Sequence, residues 1–160
     1  MQNTLPGFVT SGTGESERIG RKVTVTSVLL RGRIILPSTS TVGDTTDTAR
    51  LIIYIDTQTN GAAATVTNIL STASVNSFRN LDNTSRFRII HDVVYTLKSQ
   101  GGAGNGASDD FVESVRYLKI FKKCFLPIEF SAGAGTVADL TQNNIGIMAI
   151  TPSDRDWETF

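Results

Sequence analysis

The sequence predicts an all-β domain in which two packed antiparallel sheets form a sandwich with Greek-key or jelly-roll connections. Val, Ile, Thr and Phe are plentiful, and clusters of Gly, Ser, Thr and Asn separate the apolar segments. Long stretches of Ala, Leu, Glu and Lys, which favour helices, are absent. A chain of 160 residues is long enough for one domain with a substantial core, and we expect this domain at 15–160 after an N-terminal segment at 1–14.

The first strand is predicted at 22–36, where β-branched and aliphatic residues dominate. Pro37 ends it because proline lacks the N–H that the hydrogen-bond ladder needs. Val23 and Val25 share one parity along this strand, whereas Val28, Leu30 and Ile34 share the other. A bulge or sharp bend near Ser27 would bring both sets to the same face.

A second strand is predicted at 49–56, and a short helix after it. The core of the strand, LIIYI, is apolar at both parities, so we expect it to be buried on both faces. Within the following segment, Val66, Ile69 and Leu70 are spaced as one short helical stripe. A small helix is therefore expected between the second and third strands.

The third long strand is predicted at 86–97 from its alternation of side chains. One side of it would carry Phe87, Ile89, His91, Val93, Tyr95 and Leu97. This pattern is typical of a half-buried strand. Further strands are predicted at 112–124, in a short piece through Phe130 after a kink at Pro127, and at 145–151.

Glycines before the first strand resemble a nucleotide-binding loop only superficially. Such a loop needs four residues between its glycines, then Lys and Ser or Thr, and it must lead into a helix. Here five residues separate Gly14 from Gly20, Arg21 intervenes before Lys22, and a strand follows. Nucleotide binding at this place is therefore not expected.

Catalytic and metal chemistry have few candidate residues. His91 is the only histidine and Cys124 the only cysteine, so a multi-histidine or multi-cysteine metal site cannot form within one chain. His91 falls on the apolar side of its strand and is expected to be a core or edge residue rather than a catalytic base. Asp109 and Asp110 lie in a glycine-rich loop, where solvated charge is the simpler interpretation. We expect no enzyme activity, no metal and no cofactor.

The chain is electrically balanced, with 15 Lys plus Arg and 15 Asp plus Glu. Any nucleic-acid binding must therefore come from local groups of basic residues. One group brackets the first strand and could either follow a phosphate backbone or protect the strand edge: Arg18, Arg21, Lys22, Arg31 and Arg33. For a second group we favour solvated faces: Arg116, Lys119, Lys122 and Lys123. No apolar run is long enough to span a membrane, so no membrane partner is expected.

Ordered segments of the sequence resemble the capsid proteins of small circular single-stranded DNA viruses that encode a replication initiator, the group containing circoviruses and geminiviruses. ERIGRKVTVTSVLLRGRI is similar to that family's first strand, with its Arg-x-Gly-x-Lys element. ARLIIYIDTQTNG is similar to the second strand, AATVTNIL to the short helix, and NLDNTSRFRIIHDVVYTL to the strand after it. FKKCFLPIEFSA and NNIGIMAIT continue in the expected order.

The resemblance implies a viral jelly roll of two four-stranded antiparallel sheets. It also implies self-assembly into a small icosahedral shell, T=1 with sixty copies, around single-stranded DNA, with a location in the virion and, during assembly, in the host nucleus. The first basic group, close to the inward-leading N-terminus in this family, would contact the genome. Phe8, Phe111 and Trp157 are candidate anchors of subunit contacts, although Trp157 could equally cap the core.

Two departures from this family limit what the resemblance implies. Members usually begin with an arginine-rich arm that neutralises the genome, and residues 1–14 contain no basic side chain. Members also usually finish with a basic, aromatic strand, whereas DRDWETF is acidic and short. Shell building is thus implied more directly than genome packaging.

The alternative function is a carbohydrate- or ligand-binding β-sandwich without catalysis. Clustered aromatic and acidic side chains on one loop face would favour it.

Overall fold

Seven strands in two antiparallel sheets make up the fold, as seen in a computed structural model that describes residues 2–4, 9–35, 46–98 and 115–151. In chain order the strands are β1 (Gln2–Thr4), β2 (Lys22–Ile35), β3 (Thr46–Asp56), β4 (Phe87–Lys98), β5 (Val115–Phe130), β6 (Leu140–Gln142) and β7 (Asn144–Ile150). The first sheet has the order β1-β7-β3-β4 and the second has the order β2-β5-β6. The all-β prediction is confirmed, and the described sheets have four strands and three, not four each.

The strand pairs are nested along the chain. β3 pairs with β4, β2 pairs with β5 outside them, and β1 pairs with β7 outside both, all antiparallel. β7 also pairs with β3, which closes the first sheet, and β6 adds a short edge next to β5. This is the pairing of one long hairpin whose arms fold over into two layers.

The main core lies between the two sheets and is formed by the inward-facing apolar residues of both. It contains buried residues from both layers: Val28, Leu51, Ile53, Ile55, Ile120, Leu126, Ile128, Phe130, Leu140 and Ile145. Burial of these side chains is the main favourable term in folding, at about 25 cal/mol per Å² of apolar surface. Two layers with one shared core therefore hold each other in place.

A second cluster covers the outer face of the first sheet. There Ile52 and Tyr54 of β3 pack against the β3–β4 connection, which contains the helix α1 (Val66–Ile69). The whole LIIYI core is buried, and the predicted burial of β3 on both faces is confirmed. The predicted short helix is confirmed as well, at Val66–Ile69. Ile69 of the helix and Leu70 directly after it are buried in this second cluster.

Bulges set the faces of β2 and β4. The register of β2 against β5 shifts between Val25 and Ser27, as the change of parity predicts. In β4, by contrast, the prediction of one continuous apolar face is wrong. The register against β3 shifts where Ile53 pairs with His91 and Tyr54 pairs with Ile89, so β4 carries an extra residue. Its apolar side chains consequently change faces: Phe87 and Ile89 join the outer cluster, whereas Ile90 and Tyr95 pack on the main core.

β5 runs through Pro127 without the predicted break, which corrects the expectation of a kink followed by a separate strand. The carbonyl oxygen of Pro127 accepts a hydrogen bond from Asn143 Nδ2 at 2.7 Å. The amide and carbonyl of one residue in an extended strand point to the same edge, so the missing N–H lies on the edge away from β2. The proline therefore removes no hydrogen bond between β2 and β5.

Candidate functional site

Arg18 is a structural residue of the approach to β2 and is separated from the other basic candidates. It is 5% exposed, and its guanidinium donates hydrogen bonds to the carbonyl oxygens of Val9, Gly20 and Ala132. The same group lies 4.0 Å from the centre of the Phe130 ring. The acceptors Val9 and Gly20 lie in the segment before β2, and Ala132 lies just after β5. Arg18 therefore connects the segment that leads into β2 with the end of β5.

The glycine-rich stretch around Arg18 is a loop that leads into a strand. Glu17 Oε2 accepts a hydrogen bond from the backbone N–H of Gly14 at 2.7 Å, which closes a tight turn. Gly20 has a φ of 89°, a conformation that glycine adopts without strain, and β2 begins two residues later at Lys22. No helix of the described residues follows this loop, so the geometry that holds a phosphate in a nucleotide-binding loop is not formed here.

The remaining four residues of the first basic group are exposed but lie at two places. Arg21 and Lys22 are at the start of β2, and Lys22 Nζ lies 3.7 Å from Glu129 Oε2. Arg31 and Arg33 are exposed near the other end of the same strand. Arg31 is nine residues after Lys22 along the strand, which corresponds to roughly 30 Å. These residues therefore do not form one compact cluster.

The outward side of β5 carries an alternating row of aromatic and basic side chains. Tyr117, Lys119, Phe121, Lys123 and Phe125 are all exposed, whereas the intervening residues face inward. The three aromatic residues keep 78%, 56% and 67% of their surface exposed. Large aromatic side chains left in water are unusual when they serve only packing.

β2 completes this surface from the neighbouring strand. Leu29 pairs in register with Phe121, Arg31 pairs with Lys119, and Arg33 lies opposite residue 117. Leu29 is itself 51% exposed. We call this set the β2–β5 outer face, and it consists of Leu29, Arg31, Arg33, Tyr117, Lys119, Phe121, Lys123 and Phe125.

The segment YLKIFKKCF contains the alternating pattern of this face, although the sequence alone favours an ordinary solvated surface for Lys119 and Lys123. The row was missed because Leu118 and Ile120, at the other parity, are apolar too. Parity alone does not say which side of such a strand is buried. Ile120 packs in the main core, so the side of β5 that carries the aromatic residues faces outward.

The predicted subunit-contact residues Phe8, Phe111 and Trp157 lie outside the described residues. The same holds for Asp109 and Asp110. Their roles therefore remain predictions from the sequence.

Among the described residues, His91 has no hydrogen-bond partner at Nε2 that would orient its ring. The side chain is half-buried on β4. Burial lowers its pKa below the usual 6.5, Lys122 lowers this pKa further, and Asp92 opposes both effects. Cys124 Sγ donates a weak hydrogen bond to the carbonyl oxygen of Val25 at 3.4 Å. Within the described residues, no three His, Cys, Asp or Glu side chains are grouped so that they could hold a metal ion.

Two Arg–carboxylate pairs in the first sheet are structural. Arg86 donates to both oxygens of the buried Asp56 carboxylate at 2.8 Å, beside the end of β3. Arg50 pairs in the same two-pronged way with Asp92 at 2.7 Å. In each pair the hydrogen bond to the carboxylate raises the pKa of the arginine.

None of the described helices is long and apolar enough to cross a membrane.

Comparison with known proteins places the chain among viral coat proteins. A family model described as satellite tobacco necrosis virus coat protein matches residues 2–111. The coat protein of Maize white line mosaic Satellite virus is 34% identical over 95 residues, which are 58% of this chain. The chain spans 42% of the length of that relative.

These matches support the resemblance at the level of a viral coat protein. They do not support the narrower assignment to viruses with circular single-stranded DNA, because the matching family is that of a satellite virus. The family match covers all of β1 to β4. The chain therefore belongs to the satellite tobacco necrosis virus coat protein family.

Proposed function

We propose that this chain is a structural capsid protein that self-assembles into a small icosahedral shell, T=1 with sixty copies, enclosing a single-stranded nucleic-acid genome. Membership in a coat protein family carries this proposal. The same membership supports a structural, non-enzymatic role and a location in the virion. The alternative of a carbohydrate-binding sandwich is weaker, because the exposed aromatic row has basic neighbours where a sugar site commonly uses acids and amides.

The nested strand pairing supports a jelly-roll domain for this role. A jelly roll is a double-sheet fold used by viral capsid and lectin domains, and its strands pair as a long hairpin folded into two layers. The pairs β3–β4, β2–β5 and β1–β7 follow that order. We propose one such domain over 15–160, with a second sheet that reaches four strands in the full subunit.

Extended surfaces, not a pocket, would perform this function. Subunits of a closed shell meet through self-complementary or head-to-tail contacts that repeat around symmetry axes. Phe8, Phe111 and Trp157 remain our candidates for anchors of these contacts, because aromatic residues dominate the binding energy of many interfaces. Trp157 equally remains a candidate for a core cap.

For the genome we propose sequence-independent contacts from Arg21, Lys22, Arg31 and Arg33. All four are exposed, and basic side chains on a protein surface can follow a phosphate backbone without reading bases. Arg18 is left out because its donors are used by main-chain oxygens. Single-stranded DNA is the genome that the sequence resemblance implies. A nuclear stage of assembly is part of the same proposal and applies only if the genome is DNA.

Experiments on the purified protein test the proposed shell directly. Size-exclusion chromatography with electron microscopy should show closed particles of uniform size, and image symmetry then gives the number of copies. A strictly monomeric protein across a range of salt and pH would contradict the proposal. The ratio of absorbance at the nucleic-acid and protein maxima reports a packaged genome, and digestion by deoxyribonuclease or ribonuclease identifies it as DNA or RNA.

A further inference from the structure

We propose that the β2–β5 outer face is a binding platform for single-stranded nucleic acid, on which bases stack against Tyr117, Phe121 and Phe125 while Lys119 and Lys123 hold the backbone. This inference rests on the proposed function and deepens it, because it names the surface and the mode of binding. It also gives a role to Lys119 and Lys123 of the second basic group, for which the sequence alone favours solvated faces.

The geometry of β5 places these five side chains in one row. Alternate residues of a strand point to the same side, and two residues correspond to about 6.6 Å. The row therefore repeats aromatic and basic groups at that interval from Tyr117 to Lys123, and Phe125 follows at the register shift. Ile120 and Leu126, which have the other parity, are 8% exposed each and belong to the main core, so the direction of the row is fixed.

The chemistry of the row matches single strands better than duplexes. Proteins that bind single strands combine basic groups along the backbone with aromatic side chains on which successive bases stack. A duplex keeps its bases stacked on one another and offers no free base to an aromatic ring. Arg31 lies next to Lys119 across the ladder and adds a third cation near the middle of the row.

The row itself carries only positive charge. Between Val115 and Phe125 no described outward residue of β5 is acidic, and the nearest acidic residue on the strand, Glu129, is paired with Lys22 beyond the end of the row. A polyanion is therefore complementary to this face along its length. An uncharged apolar ligand would leave Lys119 and Lys123 without a counter-charge.

Phe125 gives an independent reason to regard this face as functional. Its φ is 49°, in the left-handed region that non-glycine residues seldom occupy, and it lies where the β2–β5 register shifts. Bulges re-aim side chains, and strained residues persist where the surrounding structure holds them in place. A phenyl ring that is 67% exposed gains little from packing, so its position is better explained by a ligand.

A second copy of this chain is the competing occupant. Around a two-fold axis the same patch would meet itself, so the cations of one copy would face those of the other. Like charges placed together in an interface repel each other and disfavour the contact. Charge complementarity thus favours nucleic acid, and a contact between copies becomes an outcome that the experiment can detect.

The test measures binding of short fluorescein-labelled oligothymidylate and oligouridylate to the full chain by anisotropy, over about 0.05–0.2 M salt. A variant with Y117A, F121A and F125A should lose about tenfold in affinity for each aromatic residue that stacks, with an unchanged salt slope. A variant with K119A and K123A should lower the slope of log affinity against log salt by about 1.4, since each phosphate contact in a single strand contributes about 0.7. A ribose preference would appear as a difference between the two oligonucleotides.

Matched controls lie elsewhere on the surface. Phe78→Ala removes an aromatic side chain that is 84% exposed in the β3–β4 connection, and Arg88→Ala removes an exposed cation from β4. Both should bind like the unmodified chain. Phe125→Gly separates binding from folding: glycine tolerates the φ of this position, so affinity should fall while the free energy of unfolding does not.

Particle counts from electron microscopy, recorded on the same samples, distinguish the two proposals. Particles that form from a chain without affinity for either oligonucleotide would overturn the platform and leave the shell intact. Binding by a chain that never assembles would overturn the shell and leave the platform. If the aromatic variant binds oligonucleotide normally, the platform is wrong, and if it also fails to assemble, the face is a contact between copies.

Discussion

Gly146 of β7 lies against the ring of Tyr54, and this contact leaves no room for a methyl group. A Cβ at this position would overlap Cζ and Oη of Tyr54, which is fully buried and packs edge-on against Phe87. Gly146→Ala should therefore lower the free energy of unfolding by about 2–3 kcal/mol, as overpacking of a filled core does. Urea unfolding of the purified chain measures the change.

Gly32 in β2 is the matched control for Gly146, because it too is a strand glycine. A Cβ at Gly32 would meet no atom within 4 Å. Gly32→Ala should leave the free energy of unfolding within about 0.5 kcal/mol of the original, with a small gain from the less flexible unfolded chain. Equal losses in the two variants would show that strand propensity, not the Tyr54 contact, explains the effect.

His91 should make stability depend on pH in a defined direction. Burial and Lys122 lower its folded-state pKa below 6.5, so the unfolded chain takes up a proton at higher pH than the folded chain does. Stability is then fully present above about pH 6.5 and is lost as the pH falls through that value toward the folded-state pKa. His91→Gln should remove this loss, which urea midpoints measured between about pH 5 and pH 8 would reveal.

The comparison between the two chains isolates His91 from the carboxylates that also titrate at low pH. Asp92 faces the same region and remains in both proteins, so its contribution cancels in the difference. Parallel pH curves for the original chain and His91→Gln would contradict the prediction.

At the scale of elements, Arg50 fastens the β3–β4 connection to the first sheet. Besides its pair with Asp92, it donates to the carbonyl oxygens of Val75 and Ser77 at 3.0 and 2.6 Å. Arg50→Met would leave the Asp92 carboxylate and two carbonyl groups without this donor. Because the arginine side chain is only 11% exposed, we expect a loss of about 2–4 kcal/mol in the free energy of unfolding.

Proteolysis adds a readout that is specific to this element. In Arg50→Met the connection at 57–86 should be cleaved faster than in the original chain, because fewer bonds hold it to β3. Glu129→Gln is the control, since it breaks a solvent-exposed pair with Lys22 at 3.7 Å. Such pairs contribute about 0–1 kcal/mol. Equal effects of the two substitutions would show that the connection is held by its apolar contacts instead.

The pattern of apolar residues predicted the main features of β2 and β3. The parity change before and after Ser27 indicated the register shift between β2 and β5, and the uniformly apolar core of β3 indicated burial on both faces. The β4 bulge was missed because that strand has apolar residues at both parities, so no residue signals the change of face. β1 and β6 were missed because three residues are too few to show a period.

The candidate site was predictable only in part for a similar reason. The exposed ends of β2 were expected from their basic side chains, and Arg21, Lys22, Arg31 and Arg33 are indeed exposed. Arg18 was not expected to be buried, since arginine almost never is unless its donors are satisfied, and the oxygens that satisfy them come from distant parts of the chain. Contacts of that kind depend on the tertiary fold and leave no local pattern.

At the scale of the whole molecule, charge is balanced in total but unevenly placed. The 15 basic and 15 acidic residues cancel, yet the β2–β5 outer face is basic. The excess of acidic charge must therefore lie on the rest of the subunit. A chain with zero formal charge brings little net repulsion to its neighbours, so closing a shell from copies of this chain does not require a polyanion to neutralise them.

We therefore expect this chain to assemble into particles without nucleic acid. Nuclease treatment before and during assembly should leave the particle yield in electron microscopy unchanged, and the absorbance ratio should be that of protein alone. Added oligonucleotide should then load into particles of the original chain but not of the Y117A, F121A and F125A variant, with equal particle numbers in both. Particles that appear only after nucleic acid is added would contradict this expectation, because neutralisation would then be a condition of assembly and not a separate function of one face.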